Sequence, residues 1–387
     1  MQDPHAALAL MREEGPVRQV VTPRGLTVWL VTRYADVRSL MSDSRVGKDA
    51  KLAQELFARS LSGTGVADAT VHGLNAHMLN SDPPDHTRLR KLVNKAFTSG
   101  VVSRLRPRIE QITDELLDGM SGEVDLMKAL AFPLPITVIS ELLGVELEDR
   151  DQFGAWSNVL VSQSDSEKIS EAAGAMANFL VQLIERKREN PTDDLMSALV
   201  HASDEGDSLG PFELIAMAFL LMVAGYETTV NLIGNSVLAL LRHPDQLKAV
   251  RADPSLVPNM VEEVLRFDGS INIATLRFAK EPIEVSGVEI PAGEFLFLSL
   301  LSANRDAERF PDPDAFDITR QTNGHLAFGH GIHYCVGAPL ARLEGEIAIG
   351  KLLQRFDGIE LLGEVESLRF RESLLVHGVE SLPVRLS

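Results

Sequence analysis

From Pro211 to Arg242 the chain offers some thirty residues with helically spaced apolar side chains and no interior proline. At a rise of about 1.5 Å per residue such a helix is about 45–48 Å long, enough to cross a whole domain. Its first half, PFELIAMAFLLMVAG, is almost wholly apolar, so it must be covered on every side. His243-Pro244 stops it. A buried rod of this kind needs a shell, and the rest of the sequence supplies mostly helices. Amphipathic runs at 86–97, 101–119, 136–144 and 168–189 precede it, the last ending before Pro191. A shorter run at 257–267 and another from Pro339 to about Phe356 follow it.

Strand signals are confined to short stretches. Residues 17–31 alternate around Thr22-Pro23-Arg24-Gly25 and read as a hairpin. Residues 271–301 contain Ile283-Glu284-Val285 and Val288-Glu289-Ile290 about a Ser286-Gly287 turn, and the tail from 359 is β-like. The stretch 60–80 has no clean period and reads as a mobile, functional loop. No repeat, low-complexity tract or linker divides the chain. The expected architecture is mainly α with small β-sheets, folded as a single large domain over 1–387.

Composition narrows the class. With 37 basic against 55 acidic residues the net charge is −18, which excludes general nucleic-acid binding. The strongly apolar stretch Leu214 to Gly225 falls short of the ~20 residues that span a bilayer. The N-terminal MQDPHAALALMREEGPV lacks the basic start and apolar core of a signal peptide. A soluble, cytoplasmic monomer with no membrane partner is expected. One cysteine, Cys335, cannot form an internal disulfide.

A lone cysteine is ordinarily a small buried hydrophobe, but the setting of Cys335 is unusual. Residues 328–337 read FGHGIHYCVG and lead into a helix with Pro339 in its first turn. Gly329 and Gly331 allow positive φ and close backbone approach to something flat or bulky. At the helix start, free N–H groups and the dipole favour a thiolate. A metal ligand on a macrocycle is one reading. Two others compete: plain packing, and a zinc site from His330, His333 and Cys335, whose spacing fits no common zinc module.

Other polar features stand out. Inside the long helix, Ala224-Gly225-Tyr226-Glu227-Thr228-Thr229 puts an acid beside two hydroxyls, expensive unless paired or useful. A local kink with a threonine bonded back to the preceding turn is the simpler account. His86 and Arg90 share a helix face. Glu263 and Arg266 form Glu-x-x-Arg on 257–267, usually a weak surface pair. From His86 to Arg108 there are seven Arg or Lys and no acid.

Together these segments resemble the cytochrome P-450 family, the haem-thiolate monooxygenases, over essentially the whole chain. The cysteine segment matches Phe-x-x-Gly-x-x-x-Cys-x-Gly, and Ala224 to Thr228 matches Ala/Gly-Gly-x-Asp/Glu-Thr. The resemblance implies heme b (iron protoporphyrin IX) with Cys335 as axial ligand beside Phe328. It implies that His86, Arg90, Arg277 and His333 meet the propionates, and that Gly225 leaves room against the cofactor face. Thr228 and Glu227 would manage the protons that cleave the O–O bond. Glu263 and Arg266 would be a buried brace whose third partner, expected near Pro313-Asp314-Ala315-Phe316, is replaced by Ala315; Arg320 is a candidate.

The likeness is nearest to actinomycete enzymes that hydroxylate or epoxidise macrolides, sterol-like compounds and other secondary metabolites. The 60–80 loop, Leu221, Val223, the segment 270–275 with Ile273, and Leu374-Leu375 would line an apolar substrate pocket, with Tyr226 altering access near the oxygen site. Electrons would come from a separate ferredoxin-type donor docked near the basic residues of 86–108. A haem-binding sensor or carrier and a cysteine-nucleophile hydrolase are the alternatives. The former needs no Glu227-Thr228 pair.

Overall fold

The spacing signals and the backbone agree closely in the computed structural model, which describes residues 4–23, 25–60, 73–97, 99–161, 166–204 and 209–387. The long helix runs Pro211–Arg242 without interruption. It starts where Pro211 presets the first turn and the Glu213 carboxylate accepts the Gly210 N–H at 2.8 Å. It ends at His243, ahead of Pro244. By length and hydropathy this helix could cross a bilayer, contrary to the shorter stretch read from sequence. However, 61% of its most apolar window is buried inside the protein.

Helices Pro133–Leu143, Ser166–Glu189, Val257–Phe267 and Ala338–Arg355 pack against it. Helices Asp85–Ala96 and Ser99–Asp118 add a further layer and carry the basic segment. The main apolar cluster draws on residues from Leu74 to Leu386, with the central helix contributing from Leu214 to Leu240.

Among the described residues ten short strands flank the helices: β1 Val17–Val21, β2 Thr27–Val31, β3 Val46–Gly47, β4 Gly122–Asp125, β5 Arg277–Ala279, β6 Ile283–Val285, β7 Val288–Ile290, β8 Phe295–Leu298, β9 Ile359–Leu361 and β10 Pro383–Leu386. The expected first hairpin is present, with Val17 opposite Val31. It joins a five-stranded sheet in the order β1-β2-β8-β5-β3, in which only β2 and β8 run parallel. β6 and β7 close over a two-residue turn with both φ positive, 48° at Ser286 and 79° at Gly287, a type I′ geometry. The tail supplies β9 and β10, which form a third sheet with β4. Residues 61–72, most of the 60–80 loop, lie outside the described residues.

Candidate active site

The cysteine loop is shaped by its glycines. Gly329 and Gly331 take φ of 76° and 73°. A side chain on Gly331 would come within 2.9 Å of the Met41 carbonyl oxygen. The Phe328 carbonyl accepts the Cys335 N–H at 2.9 Å, which folds the loop back on itself. Arg342 lies over the Phe328 ring at 4.5 Å and pairs with Glu262 at 3.0 Å, bracing the outer side.

The Cys335 side chain is accessible, yet close protein around it raises the thiol's pKa by burial. The Gly337 and Ala338 N–H groups, Arg90 and Arg342 pull the other way. The helix start was expected to favour a thiolate by itself; burial outweighs it. A coordinating metal would reverse that balance, since it deprotonates the thiol it binds.

A cluster of cations faces this loop. His86, from helix Asp85–Ala96, is buried with Nε2 lacking a hydrogen-bond partner, and its ring lies 4.3 Å from that of His333. Burial and then Lys48 push His333 down to about 2. Arg277 opens β5, is buried, and donates to the Thr275 carbonyl at 2.9 Å. Arg90, one turn beyond His86, is close enough to Cys335 to feel its charge.

Two members carry no sequence signature. Lys48 is buried after β3, donates to Thr275 Oγ1 at 2.6 Å, and burial holds its pKa well below normal. His77 is buried with Nδ1 unpartnered, its pKa lowered to about 3 by burial and Lys48. Asp82 offsets Lys48, His86 and Arg277 from nearby. This concentration of cations and neutral imidazoles is short of negative charge. It fits the two carboxylates of a haem edge.

The polar break in the central helix divides its roles by face. Ala224 is accessible although the helix around it is buried, and the half-buried Thr228 lies one turn on, its Oγ1 donating to the Ala224 carbonyl at 3.2 Å. The back-bond of the simpler reading is therefore present, within an unbroken helix. Glu227 is buried, with Arg371 Nη1 3.2 Å from Oε2, an ion-pair distance without hydrogen-bond alignment. Arg371 also donates to Asn158 at 2.9 Å.

Two expectations are corrected. Gly225 does not make room for a cofactor: a Cβ there would meet Ile139 Cδ1 at 2.7 Å, so its bareness lets helix Pro133–Leu143 approach. Tyr226 is fully buried between Phe132 and Phe153, with ring centroids at 5.9 Å from each, away from Thr228's face.

Glu263 and Arg266 are both 0% exposed and form a bidentate pair at 2.7 and 2.8 Å. The third partner is Arg320, whose Nε donates to Glu263 at 3.3 Å. Ala315 takes part through its carbonyl, which accepts from Arg266 at 3.1 Å and from Arg320 at 3.3 Å.

Of the apolar pocket residues, Leu221 is buried in the main core, while Val223, Ile273 and Leu375 are half-buried. The Asn272 N–H to Leu375 carbonyl bond at 2.8 Å joins the two segments that carry Ile273 and Leu375.

The basic segment is thinner than its count suggests. Arg88 pairs with Glu213, Arg106 with Glu110 and Glu346, and Arg108 with Glu141. Lys91 and Arg104 remain exposed.

The site joins an accessible thiol in a glycine-bent loop, a cation cradle beside it and an acid–threonine break in a long buried helix. The cytochrome P450 family model matches residues 136–377. The chain is 54% identical to Cytochrome P450 107B1 of Saccharopolyspora erythraea, over 99% of this chain and 95% of that protein. It is 50% identical to the Vitamin D(3) 25-hydroxylase of Pseudonocardia autotrophica, over 100% and 94%. The solved structure of the tirandamycin C-bound P450 monooxygenase TamI superposes with a TM-score of 0.94 at 49% identity, covering 100% of this chain and 98% of that one.

The chain belongs to the cytochrome P450 family. It is a monooxygenase of a family that binds haem iron.

Proposed function

We propose that this enzyme hydroxylates or epoxidises a bulky apolar secondary metabolite, such as a macrolide, or a sterol-like compound. It would use O2 and electrons from a separate ferredoxin-type protein. The observation that carries the reading is the cation cradle beside an accessible Cys335. A hydroxylase of vitamin D(3) and a tirandamycin C-bound monooxygenase among the relatives support this substrate class. The whole chain acts as one soluble, cytoplasmic, monomeric domain. The buried state of its apolar helix supports that.

In this reading the group is heme b, which when bound supplies the reductive activation of O2. Cys335 Sγ holds the iron, and Phe328 orders the loop through its carbonyl. His86, Arg90, Arg277 and His333 hold the propionates, joined by Lys48. Gly225 has no part in this contact. Thr228 Oγ1 holds a proton where O2 binds, and Glu227 supplies it from the Arg371 side. Val223, Ile273 and Leu375 give the substrate an apolar wall, with Leu221 behind them. The exposed Lys91 and Arg104 attract an acidic electron donor.

The test uses haem-loaded enzyme with ferredoxin and reductase, and a substrate chosen by its Soret shift from a library of macrolides and sterol-like compounds. Thr228→Ala is expected to keep O2 consumption within about twofold while product per electron falls about tenfold or more and peroxide rises to match. Coupling equal to that of the unaltered enzyme removes Thr228 from this role. A haem carrier would show no product in either form.

A further inference from the structure

Away from the site above, three side chains from distant parts of the chain meet at one point. His5 lies in the first turn of helix Pro4–Glu14, Asp268 follows helix Val257–Phe267, and His377 sits in the tail. Nε2 of His5 and Nε2 of His377 each lie 2.8 Å from Asp268 Oδ1. The three atoms fall within 4.8 Å of one another. Asp268 and His377 are buried, while His5 keeps one edge toward solvent.

The surroundings hold these groups in place. Asn235 Nδ2 donates to the Asp268 carbonyl at 2.9 Å and to the His377 carbonyl at 3.2 Å. The His377 N–H donates to the Ser270 carbonyl at 2.8 Å, and Phe370 stacks on its ring at 5.2 Å. Arg12, on the helix of His5, donates to the Ser302 carbonyl and hydroxyl at 3.0 and 2.9 Å. Each donor therefore comes from a scaffold fixed by other bonds, which cuts the entropy lost on binding a ligand.

We propose that His5, Asp268 and His377 form a binding site for a divalent cation of the zinc type, completed by water at the His5 edge. Two imidazole nitrogens and one carboxylate oxygen are a donor set that zinc takes with an open fourth position. Bonds of about 2.0–2.1 Å at near-tetrahedral angles separate ligand atoms by about 3.3 Å. The 2.8 Å contacts need to open by a few tenths of an ångström, and the two Nε2 atoms, within 4.8 Å of each other, need to settle at about the same 3.3 Å.

Arg305 faces Asp268 and opposes a dication. Its charge is shared with Asp314 at 3.1 Å and with the Phe267 ring at 3.8 Å.

The experiment uses untagged, haem-loaded enzyme, so that bound haem occupies Cys335 and the neighbouring histidines. The protein is stripped with chelator and dialysed against Zn2+ alone. One zinc per chain is expected by elemental analysis, with affinity falling about 100-fold in His5→Ala, His377→Ala and Asp268→Asn. Zinc should raise the melting temperature of the parent but not of His5→Ala, which alters only the docked helix. Stoichiometric zinc that survives His5→Ala and His377→Ala overturns the proposal as an adventitious site. So does the absence of stoichiometric zinc in the parent, which leaves a hydrogen-bonded clamp only.

Discussion

Cys335→Ser is expected to abolish the red-shifted Soret band that the reduced, carbon-monoxide-bound parent should show, and to lower turnover on the order of 10³-fold, about 4 kcal/mol of barrier. The chain has one cysteine, so no second thiol can take its place. Serine keeps the N–H that Phe328 accepts and leaves the positive-φ glycines untouched. Apart from His333, the cation cradle is built from other segments, so the variant should still take up haem. The lost band then reports the ligand alone. A red-shifted band persisting in the serine variant removes Cys335 as the iron ligand. The same result would exclude the haem reading of this loop in favour of packing.

The second large effect concerns the buried brace. Arg266→Ala should destabilise the fold by ~3–5 kcal/mol, the range for stranding one member of a desolvated ion pair. Glu263 would be left uncompensated, with only the Asp317 N–H at 3.0 Å and the outer guanidinium of Arg320. Three carbonyls, of Asn304, Pro313 and Ala315, would lose the donors that Arg266 provides. Arg320→Ala should cost less, about 1–2 kcal/mol, because its contact to Glu263 is long and its other bonds go to the carbonyls of Pro311, Asp312 and Ala315. Urea unfolding midpoints measure both. Equal losses for the two variants would show that Arg320 carries the brace as much as Arg266 does.

Much of this was legible before any coordinates. The 3.6-residue period and the prolines located the long helix and its neighbours within two or three residues, because both ends depend on local chemistry. The Ser286-Gly287 turn was readable for the same reason. The same period could also have placed Gly225. Ala224 and Thr228 are one turn apart and share a face, whereas Gly225 sits about 100° around the helix, toward Ile139. The motif match hid that arithmetic.

What stayed illegible joins residues far apart in sequence. Nothing near Glu227 announces Arg371, and nothing near Lys48 announces Thr275. The run of basic residues from 86 to 108 looked like a free patch because its partners, Glu141, Glu213 and Glu346, lie on other helices.

Ala315 has a wider lesson. Two guanidinium groups converge on an oxygen that every amino acid possesses, so the instruction for that junction is written in the path of the chain and not in the letter at position 315. A methyl side chain there erases nothing. The vulnerable quantity is spacing: one residue added or removed between Pro313 and Arg320 would shift the carbonyl out of reach of both cations, a disruption that no replacement at 315 itself can match.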